Sequence, residues 1–293
     1  MPNYTCSDHP DAAVKNKLGA ATHDELEKLE AARVAARDIE IQAGHGPQGQ
    51  FDAAHLKAIH RHLFQDVYEW AGRTRDERVL LSDRTIATEP LLRKIDGNPF
   101  LSGPLIPKAL ADIAAKLRDA NYLRDLPRAE FAACAADVMV ELNTVHPFRE
   151  GNGRTQRAFM RNLAKDAGHD LDFSVVTRER MVQASIAGSD RGDPQMMRRL
   201  FDEISHEPRV AALDRAIDAL NKHNFPWNDH YIATTEPGHK AKVTMAGIAG
   251  GQFMSRTAAS ILIGRISDLP EPRPGRGETF TLQPGHWDHD EGD

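Results

Sequence analysis

Cysteine is scarce: Cys6 and Cys134 are the only two in 293 residues. Two isolated thiols exclude a disulfide framework and a four-ligand zinc site, and they suit a reducing compartment. Long apolar runs are missing too. No stretch approaches the roughly 18 residues that a membrane-spanning helix needs, so no membrane span is expected. The N-terminal MPNYTCSDHPDAAVKNKLG has no apolar core flanked by positive charge, so it is not read as a Sec signal peptide. A basic excess is also lacking. The net charge of −6 argues against a bulk electrostatic grip on nucleic acid, and no nucleic-acid partner is expected. What is present, 40% apolar and 27% charged residues, is ordinary for a globular chain with room for one good-sized domain and a smaller one.

Residues 1–20 are polar and read as irregular. Thr22-His-Asp-Glu25 reads as a capping box that opens a helix with apolar positions at Leu26, Leu29, Val34 and Ile39, running to Gly44. A second helix follows Asp52, and Tyr68-Glu-Trp-Ala-Gly72 closes that unit. Arg78–Ser82 reads as a short strand with a return strand over Asn98–Ser102, and the charged insert Asp83–Gly97 lies between them. Helices are expected over Ile106–Leu123, Arg128–Val145, Arg154–Ala167, Thr177–Ala187, Pro194–Ile204 and Val210–Leu220. The second of these is apolar almost all round and reads as a central buried helix. Past about residue 225 the texture becomes short β-like runs at Tyr231–Thr235, Lys242–Met245, Ser260–Gly264 and Thr279–Leu282, with a disordered tail over Gly285–Asp293. The expected fold class is therefore mainly α, followed by a small β module.

The densest chemistry lies in His146-Pro-Phe-Arg-Glu-Gly-Asn-Gly-Arg-Thr-Gln-Arg157. Pro147 ends one helix, Gly151 and Gly153 allow a tight turn close to a ligand, and the next helix presents free N–H groups to the loop. Arg154, Arg157 and Arg161 share one helical face, with Phe159 and Leu163 on the other. Arginines converging on a helix N-terminus suit a polyphosphate, each charge-assisted bond contributing roughly 1.5–3 kcal/mol. His146 can take a proton from an attacking hydroxyl, and Glu150 is a hard oxygen ligand suited to Mg²⁺. Base, metal ligand and phosphate cradle within twelve residues make a phosphoryl or nucleotidyl transfer site. His55, His60 and His62 read as structural histidines rather than metal ligands; His55 and His60, five apart, do not share a helical face well. The β module has few aromatics (Tyr231, Phe253, Phe280), so a packing or spacer role is preferred to nucleic-acid binding.

His146–Arg157 resembles, position for position, the Fic family signature HPFx(D/E)GNGRxxR, and Leu63-Phe64 with Tyr68–Gly72 is similar to the segment before the Fic flap. The resemblance implies an N-terminal segment over 1–20, a Fic domain over 21–205 with its β-hairpin flap at about 76–103, and a connecting helix with an OB-like β module over 206–293. It implies His146 as general base, Phe148 as the plug that anchors the loop in the core, and Glu150 as the Mg²⁺ ligand. Gly151, Asn152, Gly153, Arg154 and Arg157 would hold the phosphates of ATP. Gly153 would keep the usual phosphate pose open. The flap would register the target, with Asp83, Arg84, Glu89, Arg93, Lys94 and Asp96 as its charged docking residues.

The flap insert and trailing β module look most like the type IV-secreted Fic effectors of Bartonella, in the branch that modifies Rho-family GTPases. Those effectors also carry a C-terminal secretion domain, which these residues do not include. The implied target is a protein hydroxyl on a small GTPase. The implied location is the bacterial cytoplasm before secretion and the host cytoplasm after it. An inhibitory (S/T)xxxE(G/N) helix is not found in residues 1–45, and Thr85–Pro90 comes near the pattern only within the flap. The resemblance therefore implies restraint by a small antitoxin protein in trans. Alternatives left open are transfer of another nucleotide or of phosphocholine, a Fic toxin directed at bacterial topoisomerases, and a module that holds nucleotide without catalysis.

Overall fold

A computed structural model of the chain describes residues 4–5, 11–93 and 99–287. Lys94, Asp96 and most of the expected C-terminal tail lie outside the described residues. The described chain has eight α-helices: α1 (His23–Glu40), α2 (Ala53–Phe64), α3 (Ile106–Asp119), α4 (Arg128–Val145), α5 (Asn152–Asp166), α6 (Arg178–Arg191), α7 (Gln195–Ile204) and α8 (Glu207–Lys222). Its strands are β1 (Val79–Leu80), β2 (Ile86–Ala87), β3 (Tyr231–Thr234), β4 (Ala241–Ala249), β5 (Gln252–Arg256), β6 (Ser260–Arg265) and β7 (Thr279–Leu282). The mainly helical class with a small C-terminal sheet agrees with the sequence expectation. The chain forms two compact units, one of residues 1–126 with 137–168, the other of residues 127–136 with 169–293.

In the first unit, Thr22 caps α1 through its hydroxyl on the Glu25 N–H at 3.4 Å, while the Glu25 carboxylate takes the Ala21 N–H at 3.0 Å. The buried row of α1 is Leu26, Glu30 and Val34. Leu29 and Ile39, expected in that row, are 37% and 65% exposed. The row follows the i, i+4 spacing of a straight helix, and that spacing places a carboxylate inside it. Asp52 caps α2 at the His55 N–H, 2.8 Å away, and α2 buries Leu56, Ile59, His60, Leu63 and Phe64. Among the described residues of the N-terminal segment, Thr5 bridges Val14, and Tyr4 is buried edge-on against Trp70, with ring centroids 5.2 Å apart.

The flap hairpin is tighter than expected. β1 pairs antiparallel with β2, Val79 opposite Ala87 and Leu80 opposite Ile86, so the return strand is Ile86–Ala87 rather than Asn98–Ser102. The turn closes because Asp83 Oδ1 accepts the Thr85 N–H at 2.9 Å and Arg84 takes a left-handed φ of 66°. This is the side-chain-to-backbone turn that Asp favours. Lys15 holds the turn from outside, donating to Asp83 Oδ2 at 2.8 Å and to Thr85 Oγ1 at 2.6 Å.

In the second unit a five-stranded sheet runs β3-β6-β5-β4-β7, parallel between β3 and β6 and antiparallel elsewhere. Val243, Met245, Phe253, Leu269 and Leu282 form its core. β5 is an unexpected strand. Gly250 and Gly251, both at positive φ (57° and 79°), turn β4 straight back into it. Glu203 of α7 is fully buried and accepts from Arg180 of α6, from Arg209 of α8 at 3.4 Å, and from the Thr234 N–H of β3 at 2.6 Å. This polar network joins α6, α7 and α8 to the sheet within one unit. Removing one partner of such a buried pair costs about 3–5 kcal/mol.

Candidate functional site

The site is the passage from α4 to α5. α4 ends at Val145 because Pro147 follows, and His146 takes a left-handed φ of 46° after donating its N–H to Leu142 at 3.0 Å. That conformation costs a non-glycine residue roughly 1–2 kcal/mol, so its surroundings must hold it. Phe100 stacks on the imidazole with centroids 3.8 Å apart and planes at 13°. Gln156, buried on α5, donates to the Leu142 carbonyl at 3.1 Å and ties the start of α5 to the end of α4.

Phe148 is buried and stacks on the buried His60 ring at 3.9 Å, which anchors the loop in the core. The His60 Nδ1 accepts the Gly72 N–H at 2.8 Å and its Nε2 donates to the Glu150 carbonyl at 3.0 Å. An N–H donor on Nδ1 leaves the proton on Nε2, so the ring is neutral. Burial holds its pKa down to about 3, the Glu150 carbonyl opposing and the Arg154 charge adding to the shift. His55, likewise, is engaged with backbone, at the Pro47 carbonyl (3.1 Å) and the Phe51 N–H (3.3 Å). These contacts match the structural reading of both histidines.

Gly151 caps α5 at φ 81°, and a Cβ there would meet the Phe64 ring at 2.3 Å, so glycine is required on two counts. The N–H groups of Asn152, Gly153 and Arg154 precede the first intrahelical bond, Thr155 N–H to the Gly151 carbonyl at 3.0 Å. The Asn152 side chain does not face this cradle. It is buried, accepting the Phe148 N–H at 2.9 Å and donating to the Phe148 carbonyl at 2.7 Å. The Asn152 amide is therefore spent on closing the loop, which leaves its backbone N–H as the group it turns to the cradle. Gly153 is exposed, and a Cβ on it would lie 3.4 Å from the Arg157 guanidinium.

Arg154, Arg157 and Arg161 line one cavity of about 260 Å³ with Ala31, Val34 and Asp38 of α1. Their roles diverge. Arg154 pairs with the buried Glu30 and lies 4.7 Å from the centre of the Phe64 ring. Arg161 pairs with Asp38. Among the described residues no hydrogen bond or ion pair holds Arg157, and burial followed by repulsion from Arg154 and Arg161 depresses its pKa. An anion beside Arg157 would relieve that repulsion. Glu30 also accepts the Tyr68 hydroxyl, whose pKa is pushed up by burial and then by the Glu30 charge.

Glu150 stands at the rim with 38% of its side chain exposed and Arg149 on Oε1 at 2.9 Å. Burial raises its pKa, opposed by Arg149. One hard carboxylate beside a phosphate cradle fits a Mg²⁺ site, since that ion takes one or two protein carboxylates and completes its shell with phosphates and water. Of the flap residues, Glu89 pairs with Arg149 at 2.5 Å. Asp83 is held by Lys15, which with Thr85 draws its pKa down to about 2. Arg84 and Arg93 are exposed. The exposed apolar residues of this region, Leu80 (71%), Ile86 (36%) and Leu91 (73%), carry no sequence expectation.

Sequence reasoning missed Arg75, Glu30 and Tyr68. Arg75 is one of three arginines in the polar run Arg73–Arg78, and nothing in the spacing sets it apart. Glu30 had a faint signal, an acid in register with Leu26 and Val34.

A profile of the Fic/DOC family matches residues 50–164. A protein adenylyltransferase of Bartonella henselae is 36% identical over 237 residues, covering 79% of this chain. The chain spans only 44% of that protein's length. Among solved structures, the type IV secretion system effector protein BepA superposes with a TM-score of 0.88 at 31% identity, covering 97% of this chain and 96% of that one. The N-terminal Fic domain of a Bartonella quintana protein, solved with bound ADP, is 40% identical with a TM-score of 0.66, covering 70% of this chain and 94% of that one.

Proposed function

This chain belongs to the Fic/DOC family, and from that premise we propose that it transfers AMP from ATP to a hydroxyl side chain of another protein. The observation that carries this reading is the arginine row on α5, in which Arg157 stands beside the helix N-terminus without a counter-ion among the described residues. ATP is the donor: its phosphates lie on the N–H groups of Asn152 and Gly153 and on Arg154, with the outermost on Arg157. Glu150 holds Mg²⁺, which neutralises phosphate charge when bound. The Nδ1 of His146 is buried, so Nε2 is the nitrogen that takes the proton from the target hydroxyl. The hydroxyl oxygen bonds to the α-phosphorus, the bond from that phosphorus to the oxygen bridging to the β-phosphate breaks, and pyrophosphate leaves. Phe148 and the Asn152 amide keep the loop closed throughout.

The target is a small GTPase of the Rho family, docked along the flap by Asp83, Arg84, Arg93, Lys94 and Asp96 and by the exposed Leu80 and Ile86. Glu89, turned to Arg149, supports the loop instead of meeting the target. A small antitoxin protein restrains the enzyme by offering an acid to Arg157. The protein works in the host cytoplasm after type IV secretion from the bacterium. Among the described residues no helix is long and apolar enough to cross a membrane. The five strands of the C-terminal sheet are the feature that supports an OB-like module, which has the same number.

Incubating a purified Rho-family GTPase with ATP and this protein tests the reading by intact mass. The expected gain is one AMP, absent with His146→Ala, in which rate falls on the order of 10²–10⁴. Label that transfers from γ- but not α-phosphate, or transfer that persists unchanged in His146→Ala, refutes it.

A further inference from the structure

Arg75 is fully buried, yet no carboxylate forms an ion pair with it among the described residues. Its guanidinium spends its donors on backbone carbonyls. Nε donates to His146 at 2.9 Å, Nη1 to Pro90 at 2.8 Å and more weakly to Glu89 at 3.5 Å, and Nη2 to Leu101 and, at 3.4 Å, to Val145. Its own backbone repeats the pattern: the N–H reaches the Pro147 carbonyl at 2.8 Å, and the carbonyl accepts the Glu89 N–H at 2.7 Å. One residue thus joins the end of α4, the start of the loop, and the flap chain at Glu89–Pro90 and at Leu101.

We propose that Arg75 is a positioning residue that sets the geometry of His146 and ties it to the flap. The inference rests on the transfer reaction proposed above. Two links carry it. The His146 carbonyl belongs to a residue at φ 46°, a conformation held from outside, and Arg75 Nε is the donor on that carbonyl. Leu101, which Arg75 also grips, follows Phe100, whose ring lies 3.8 Å from the imidazole. Arg75 therefore fixes the histidine backbone directly and its ring plane through Phe100. The planar fork of five N–H groups is needed, because a lysine ammonium presents three donors from one atom and cannot serve carbonyls on three segments. Asp76 and Glu89 lie near enough to favour the charge, while burial lowers the pKa of the guanidinium.

The test is Arg75→Lys in the full chain, read three ways: AMP transfer from α-labelled ATP into the target GTPase, ATP affinity by titration, and the His146 imidazole signals by NMR. The expected result is a fall in kcat of about 10²-fold, the loss expected from displacing a reacting group by about 1 Å. ATP affinity should stay unchanged and the His146 signals should shift. Unchanged kcat overturns the proposal, as does an equal loss of kcat and ATP affinity, which would mark a general weakening of the fold. If the wild type itself transfers no label, the transfer reading has failed. The NMR comparison then still decides, because His146 signals that stay in place in Arg75→Lys overturn the positioning role. If the variant does not fold, solvent exchange of the Arg75 Nε–H in the wild type decides. Slow exchange supports the buried bond to His146, and fast exchange overturns it.

Discussion

Acidification tests the loop anchor at His60. This ring is wholly buried, stacked on Phe148, and hydrogen-bonded at both nitrogens, accepting at Nδ1 from Gly72 and donating at Nε2 to Glu150. A second proton would set N–H against the Gly72 N–H and place a charge in an apolar stack. The folded pKa of about 3 therefore lies below the unfolded value of 6.5. Since the neutral form is the folded form, the contribution is complete above pH 6.5 and is lost as pH falls from 6.5 towards 3. Each unit in that window removes about 1.4 kcal/mol, so at pH 4.5 the loss is about 2.7 kcal/mol, a large share of the ~5–15 kcal/mol that typically separates folded from unfolded chains. Urea unfolding of the wild type and of His60→Gln at pH 7.5 and 4.5, followed by tryptophan fluorescence from the buried Trp70, isolates this term, because the remaining groups titrate in both proteins. The wild type should be the more stable at pH 7.5, and its advantage should shrink by about 2–3 kcal/mol at pH 4.5. An advantage that is the same at both pH values would refute the neutral, doubly bonded histidine.

Three further outcomes are expected. Gly151→Ala forces a methyl group to 2.3 Å from the Phe64 ring at φ 81°, and should cost roughly 2–4 kcal/mol together with ATP affinity; a parental melting temperature would contradict the loop geometry. Glu30→Ala leaves Arg154, itself 35% exposed, and the buried Tyr68 hydroxyl without their carboxylate and should cost about 1–3 kcal/mol in thermal or chemical unfolding, whereas an unchanged stability would mean that this pair is solvated. Leu80→Asp with Ile86→Asp leaves folding and ATP binding intact, since both side chains are exposed, and should reduce target labelling by about tenfold or more; undiminished labelling would remove these residues from docking.

Much of the site was legible in the sequence because its chemistry is local. The loop from His146 to Arg157 is contiguous, Pro147 and the two glycines dictate its turn, and the 3.6-residue period puts three arginines on one face. The helices were legible for the same reason, with α5 starting at Asn152 instead of about Arg154 and α8 at Glu207 instead of Val210. The misses have physical causes. β5 lacks a β-branched run and is specified by its pairing across the Gly250-Gly251 turn. The flap's return strand is set by a turn at Asp83–Arg84, where side-chain chemistry outweighs strand propensity.

What the sequence by itself determined is the set of groups that can do chemistry, together with their order along one loop. Only the tertiary structure decided which of those groups are occupied. Arg154 meets Glu30 across 124 positions, Asn152 turns to Phe148, Glu89 turns to Arg149, and Arg75 meets His146 across 71 positions. Such pairings arise because buried charges and amides must find partners wherever packing brings them, and no spacing along the chain records that demand.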